Sequence, residues 1–136
     1  MKFKPHHITI SVKNLNISES FYQTFGFKRV HYWQADDKSL EILHLKNFTI
    51  ILEIFCYAMP IDAPEHTKNL TTDLQVLGVK HFALQVESLV EAKEFLEGKK
   101  IAIVTPITKG RTKVDYFFVK DPDDILVEIV QDDRQY

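Results

Sequence analysis

The feature that most constrains the fold of this 136-residue chain is an internal repeat. A shift of 74 positions places His7 on His81 and Val12 on Val86. In both copies an alternating apolar segment is followed by apolar residues at helical spacing. Self-similarity of this kind is typical of a chain that contains two copies of one supersecondary unit. The repeat therefore predicts two halves with the same fold.

Each half has the same predicted order of elements, one strand, one helix and three further strands. In the first half they are predicted at 7–12, 16–25, 27–33, 40–45 and 49–55, with a turn at Lys46-Asn47 before the last strand. In the second half they are predicted at 80–86, 88–97, 101–105, 114–119 and 125–130. A short helix is expected at 72–77 in the connection. The sequence thus predicts an α+β fold class with two paired βαβββ modules.

Length and composition favour one ordinary globular domain. We divide this domain, residues 1–136, into module one at 5–57, a linker at 58–78 and module two at 79–132. The 17 basic and 19 acidic residues give a net charge of -2, so no basic excess points to nucleic acid or to an anionic membrane. The most apolar stretch, 48–60, is too short to span a bilayer. A single cysteine and the absence of an apolar signal segment near the N-terminus lead us to expect a cytoplasmic protein.

One histidine and one glutamate recur at equivalent places in the two halves. His7 precedes Glu53 by 46 residues, and His81 precedes Glu128 by 47. Both glutamates lie within apolar strand sequences, where a lone carboxylate is costly unless a cation or hydrogen bonds compensate it. Two imidazoles and two carboxylates suit a divalent transition ion such as Zn, Ni, Co, Fe or Mn. The pattern predicts a metal site.

Each of these residues also has a plainer explanation. A single histidine at the start of a strand is usually a polar edge residue, and a strand glutamate often faces solvent or pairs with a lysine. The duplication favours the metal site, because coincidence would have to produce the arrangement twice. His31, His44 and His66 have no counterpart at the repeat spacing, and we interpret them as structural or exposed.

Six segments, taken together, show a pattern known from other proteins, and they lie at 7–15, 20–22, 25–27, 52–54, 78–86 and 121–129. They resemble the vicinal oxygen chelate superfamily. This superfamily includes glyoxalase I, bleomycin and fosfomycin resistance proteins, ring-cleaving dioxygenases and methylmalonyl-CoA epimerase. The resemblance implies paired βαβββ modules that form a cup of curved mixed sheet around one metal ion, usually in a homodimer that binds a small-molecule substrate. It leaves open whether a site lies within one chain or is shared by two.

The resemblance also implies a ligand set and a reaction. His7, Glu53, His81 and Glu128 match the His/Glu/His/Glu pattern of glyoxalase I, with Ni, Zn or Co as the expected ion and Fe or Mn as alternatives. Fosfomycin-modifying members and dioxygenases lack the ligand at the Glu53 position, and epimerases carry glutamine there. We therefore expect a lactoylglutathione lyase-like enzyme that converts an α-ketoaldehyde-thiol hemithioacetal to a 2-hydroxyacyl thioester through a metal-bound enediolate. Glu128 is the expected base and Glu53 its pair across the metal, although their near-symmetry leaves this choice open.

Other functions remain open at this point. They are a fosfomycin-type thiol transferase, an epimerase, a dioxygenase and a non-catalytic small-molecule binding or resistance protein. Lys109, Arg111 and Lys113 form a basic cluster that could clamp an anionic substrate, and a solvated surface loop explains them equally well. The Asp-Pro-Asp-Gly turn that is usual in the family ends in Asp124 here, which predicts a positive φ at an aspartate.

Overall fold

The computed structural model describes all residues, Met1 to Tyr136, and they separate into two compact units, Met1–Asp62 and Ala63–Tyr136. Each unit has the strand–helix–three-strand order that the repeat predicts, so the α+β fold class with two βαβββ modules is confirmed. The exact module and linker boundaries within one domain stay a prediction. Neither unit contains a helix with the length and apolar character that crossing a bilayer requires.

The first unit is a mixed four-stranded sheet with one helix. Its elements are β1 (His7–Ser11), α1 (Leu15–Thr24), β2 (Lys28–Gln34), β3 (Leu40–Asn47) and β4 (Ile50–Tyr57). The strand order is β1-β4-β3-β2, with β1 parallel to β4 and the other pairs antiparallel. This order places the strand that begins with His7 directly beside the strand that carries Glu53.

One face of this sheet packs against α1 and forms the core of the unit. The buried sheet residues are Ile10, Leu43, Leu45, Leu52, Ile54 and Cys56. Tyr22 of α1 is fully buried, and Asn14 caps the helix by accepting a hydrogen bond from the Ile17 amide at 3.0 Å. Because side chains alternate across a strand, Glu53 and its neighbours in register project from the other face.

The hairpin between β3 and β4 differs from the sequence-based prediction. The turn is Phe48-Thr49, and the expected turn at Lys46-Asn47 is wrong. Phe48 takes a φ of 49°, and the Asn47 side-chain amide donates to the Phe25 carbonyl at 2.9 Å, which holds Asn47 within β3. Both strands are consequently longer than predicted, and His44 comes to lie opposite Glu53.

The second unit repeats the architecture with shorter strands. Its sheet and main helix are β5 (Phe82–Gln85), α3 (Leu89–Gly98), β6 (Thr108–Lys109), β7 (Asp115–Lys120) and β8 (Leu126–Gln131), in the strand order β5-β8-β7-β6. A single 3-10 turn (Glu65–Lys68) and a one-turn helix, α2 (Leu70–Asp73), precede them. Ser88 caps α3 by accepting from the Glu91 amide at 3.3 Å.

The prediction of a strand at 101–105 is wrong. The β-pairing in this segment is limited to an isolated bridge between Ile103 and Val119. The Phe118 amide donates to the hydroxyl of Thr105 at 2.9 Å, where a ladder would use a backbone carbonyl. Pro106 follows and has no N–H to continue the pairing. The edge strand therefore forms later, at β6.

The helix expected at 72–77 is also displaced, since α2 begins at Leu70 and ends at Asp73. The Thr72 hydroxyl donates to the carbonyl of Asn69 at 3.1 Å and thus reinforces the first turn. The Asp73 carboxylate is buried and accepts from the Lys80 ammonium at 2.9 Å, which fixes the end of the helix.

Candidate metal centre

In the first unit, His7 and Glu53 lie side by side on the sheet face that does not pack against α1. His7 Nε2 is 3.6 Å from Glu53 Oε1. The other ring nitrogen of His7 contacts His6, with 2.8 Å between the two Nδ1 atoms. This contact occupies Nδ1 and leaves Nε2 to face the carboxylate.

Two further side chains bind the Glu53 carboxylate. The Thr9 hydroxyl donates to Oε1 at 2.9 Å, and His44 Nε2 lies 2.9 Å from Oε2. Partial burial opposes ionisation, but the hydrogen bonds from His44 and Thr9, with electrostatic attraction from His7 and His44, lower the pKa of Glu53 below its ordinary value. The carboxylate is therefore kept in its charged form.

In the second unit, the equivalent pair is His81 and Glu128. His81 Nε2 is 3.2 Å from Glu128 Oε2. The rings of His81 and Phe118 form a T-shaped pair, with 4.9 Å between their centroids. Nδ1 of His81 is buried without a hydrogen-bond partner. A buried N–H without an acceptor is costly, so without a metal the favoured neutral tautomer carries its proton on Nε2 and donates it to Glu128. Coordination of an ion through Nε2 would require the proton to move to Nδ1.

The donor sets of the two units fit the chemistry of a divalent transition ion. Ligand atoms lie about 2.1 Å from such an ion, so two adjacent ligands are roughly 3.0 to 3.4 Å apart. The separations of 3.6 Å in the first unit and 3.2 Å in the second are close to that spacing. Such ions take at least three protein ligands, so one pair does not complete a site. The structure contains no group of three or more such side chains in a ligand arrangement.

Two of the three residues in the basic cluster line a cleft of about 430 Å³ in the second unit, namely Lys109 and Lys113. Asp115, Gln131 and Arg134 also line it, and Arg111 does not. Because side chains alternate along β8, Gln131 and the cleft lie on the sheet face opposite to Glu128. The role of Lys109, Arg111 and Lys113 in binding an anionic substrate stays a prediction.

The sequence-based interpretation of His44 missed its contact with Glu53. A two-residue turn at Lys46-Asn47 would pair Glu53 with Leu40, whereas the turn at Phe48-Thr49 pairs it with His44. The repeat carries no signal for this residue, because Phe118 occupies the equivalent place opposite Glu128. A correct prediction of the hairpin turn would have found it.

A family model described as "Glyoxalase/Bleomycin resistance protein/Dioxygenase superfamily" matches residues 4–129. The chain is also 26% identical over 129 residues to the uncharacterized protein YaeR of Escherichia coli (strain K12). The alignment covers 93% of this chain and 94% of YaeR. The similarity thus extends over both modules.

Solved structures give the same result at the level of the fold. A glyoxalase family protein from Enterococcus faecalis has a TM-score of 0.79 and 26% identity, covering 93% of this chain and 96% of that chain. The trypanothione-dependent glyoxalase I of Leishmania major has a TM-score of 0.71 and 20% identity, with 96% and 87% covered. The fosfomycin resistance protein FosX of Listeria monocytogenes has a TM-score of 0.70 and 16% identity, with 97% and 95% covered. The last two share the fold with this chain and are named for two different functions.

Proposed function

Because this chain belongs to the Glyoxalase/Bleomycin resistance protein/Dioxygenase superfamily, we propose that it is a metal-dependent, glyoxalase I-like lyase. Its substrate is the hemithioacetal of an α-ketoaldehyde and a thiol, and its product is a 2-hydroxyacyl thioester. The observation that carries the proposal is that each module holds a histidine against a glutamate at a distance close to the spacing of adjacent metal ligands. The carboxylate at Glu53 distinguishes this set from the two-histidine, one-carboxylate sets of related activities.

In the proposed site, His7, Glu53, His81 and Glu128 hold one divalent ion, with Ni, Zn or Co preferred. The ion, when bound, supplies Lewis-acid stabilisation to the two adjacent oxygens of the substrate. The four ligands of one ion come either from one chain or from the two chains of a homodimer. A cytoplasmic location is part of the proposal, because the chain has a single cysteine, Cys56, and so forms no internal disulfide.

The carboxylates perform the proton transfer in this proposal. Glu128 removes the proton from the hemithioacetal carbon and returns it to the neighbouring carbonyl carbon. The hydroxyl proton of the first carbon passes to the oxygen of the second, so the product is an isomer of the substrate. His81, whose Nε2 lies 3.2 Å from Glu128 Oε2, holds the ion next to this carboxylate. Glu53, which His44 and Thr9 bind, remains in place and keeps its negative charge.

The test is thiol-dependent isomerisation of methylglyoxal, followed by thioester absorbance, with metal content measured on the same samples. Chelation should abolish the activity, and Ni, Co or Zn should restore it. Glu128→Gln should lower kcat by about 10²-fold to 10⁴-fold. Glu87→Gln, which changes an exposed glutamate of the same unit, is the matched control and should keep full activity.

Two results would contradict the proposal. One is a wild-type protein that binds no divalent ion or shows no isomerisation with any restored metal. The other is unchanged metal occupancy in Glu53→Gln, because the argument for a glyoxalase over its relatives depends on that ligand. Metal-dependent consumption of thiol on addition of fosfomycin would assign a transferase instead, and oxygen uptake with Fe(II) or Mn(II) a dioxygenase.

A further inference from the structure

The two halves of the repeat differ at two positions that surround the glutamates. Along the parallel strand pair, Thr9 lies opposite Glu53, and Ala83 lies opposite Glu128. The antiparallel neighbours differ as well, since His44 pairs with Glu53 and Phe118 pairs with Glu128. The first unit therefore has two polar side chains where the second has a methyl group and a phenyl ring.

These differences decide how many hydrogen bonds each carboxylate accepts. In Glu53, Oε1 accepts from Thr9 at 2.9 Å and Oε2 accepts from His44 at 2.9 Å. In Glu128, Oε2 accepts from His81 at 3.2 Å, and neither Ala83 nor Phe118 has a side-chain donor. Glu53 is thus bound through both oxygens.

Unequal burial does not explain the contrast between the two glutamates. The side-chain exposure of Glu53 is 20%, and that of Glu128 is 19%. The two carboxylates are therefore equally accessible to water and to reagents, and they differ in their hydrogen-bond partners.

We propose that Thr9 and His44 are positioning residues that fix the orientation of Glu53 and so leave Glu128 as the carboxylate that is free to move. This inference rests on the proposed function, in which both glutamates bind one ion. A carboxylate held through both oxygens has its ligating geometry set in advance, which increases its affinity for a metal. Glu128 has fewer hydrogen bonds to break when it leaves the ion to accept a proton.

The first experiment uses the metal-free protein and measures how fast each carboxylate couples to glycine ethyl ester through a carbodiimide, with peptide mass spectrometry as the readout. Glu53 should be modified several-fold more slowly than Glu128 in the wild type. His44→Phe and Thr9→Ala, which introduce the residues of the second unit, should raise the rate at Glu53 and leave the rate at Glu128 unchanged. Equal rates at the two glutamates of the wild type would overturn the inference.

The second experiment measures Co²⁺ affinity by calorimetry and by the visible absorption of the bound ion. His44→Phe should weaken binding by about 10-fold to 100-fold, the range found when a residue that orients a ligand is lost. His44→Gln retains a donor and should recover most of the affinity. Ala83→Thr adds a hydroxyl beside Glu128 at an exposed position, and it should leave the affinity no weaker than that of the wild type. Unchanged affinity in His44→Phe would refute the positioning role.

The two proposals fail in different ways. A wild-type protein that binds no Co²⁺ contradicts the proposed function, while the carbodiimide experiment still measures the restraint on Glu53. A wild-type protein that binds Co²⁺ and isomerises methylglyoxal, but has equal labelling rates at both glutamates, contradicts only the positioning role.

Discussion

At the scale of single residues, the clearest agreement between sequence and structure is Asp124. It occupies the place of a turn glycine, and its φ is 66°. The turn is stabilised by Asp121, whose Oδ1 accepts from the amides of Asp123 at 2.8 Å and Ile125 at 2.9 Å. Lys120 Nζ lies 3.4 Å from the Asp124 carboxylate. The backbone conformation is therefore imposed by the turn at some cost in free energy.

Two substitutions of Asp124 separate the backbone cost from the loss of the ion pair. Asp124→Gly and Asp124→Ala both remove the carboxylate, but only glycine adopts a positive φ freely. The glycine variant should be more stable than the alanine variant by about 1 kcal/mol in urea denaturation. Equal free energies of unfolding would show that the turn relaxes and that the positive φ is not maintained.

At the scale of elements, the helix α1 is joined to the edge strand β2 by one ion pair. Arg29 Nε donates to Glu19 Oε1 at 2.8 Å, and Nη2 donates to Oε2 at 2.5 Å. The hydrogen bonds from Arg29 outweigh the opposing effect of burial and lower the pKa of Glu19 from its ordinary value of 4.5. A bidentate pair of this kind is stronger than a typical surface ion pair.

The lowered pKa of Glu19 predicts a pH-dependent contribution to stability. The pair stabilises the folded state fully above the ordinary glutamate pKa, and the contribution is lost as the pH falls through the lowered value. Glu19→Gln should therefore cost roughly 1 kcal/mol at pH 7 and much less at pH 3. Urea denaturation at both pH values checks this, and a cost that stays the same at pH 3 would exclude ionisation as the cause. Glu87→Gln serves as the control.

The strands and helices also show how much of this structure could be predicted from the sequence. The order of strands and helices followed from local alternation and from the repeat, and so did the pairing of His7 with Glu53 and of His81 with Glu128. The contact of His44 with Glu53 could not be found in this way. It depends on the register of one hairpin, which is set by a phenylalanine that adopts the positive φ usually taken by glycine or asparagine.

At the scale of the whole molecule, the proposed ion requires ligands from both modules. This arrangement predicts one ion per chain and a thermal stabilisation that is lost when either pair is disrupted. At a Ni²⁺ concentration of 100 times Kd, the gain is about 2.7 kcal/mol, or roughly 5 to 10 °C in Tm. His7→Gln and Glu128→Gln should each abolish most of the shift in differential scanning fluorimetry. Two ions per chain, with half the shift retained in each variant, would show that the modules bind metal separately.

Because the two glutamates have different neighbours, one half of the repeat cannot replace the other without changing the site. A chimera with the sequence of 79–132 in both places would retain an imidazole beside each acid. It would nevertheless lack the hydroxyl and the additional imidazole that restrain one of the two acids. Under the proposed positioning role, the two side chains beside Glu53 would make one copy hold the ion, while the other copy would exchange the proton.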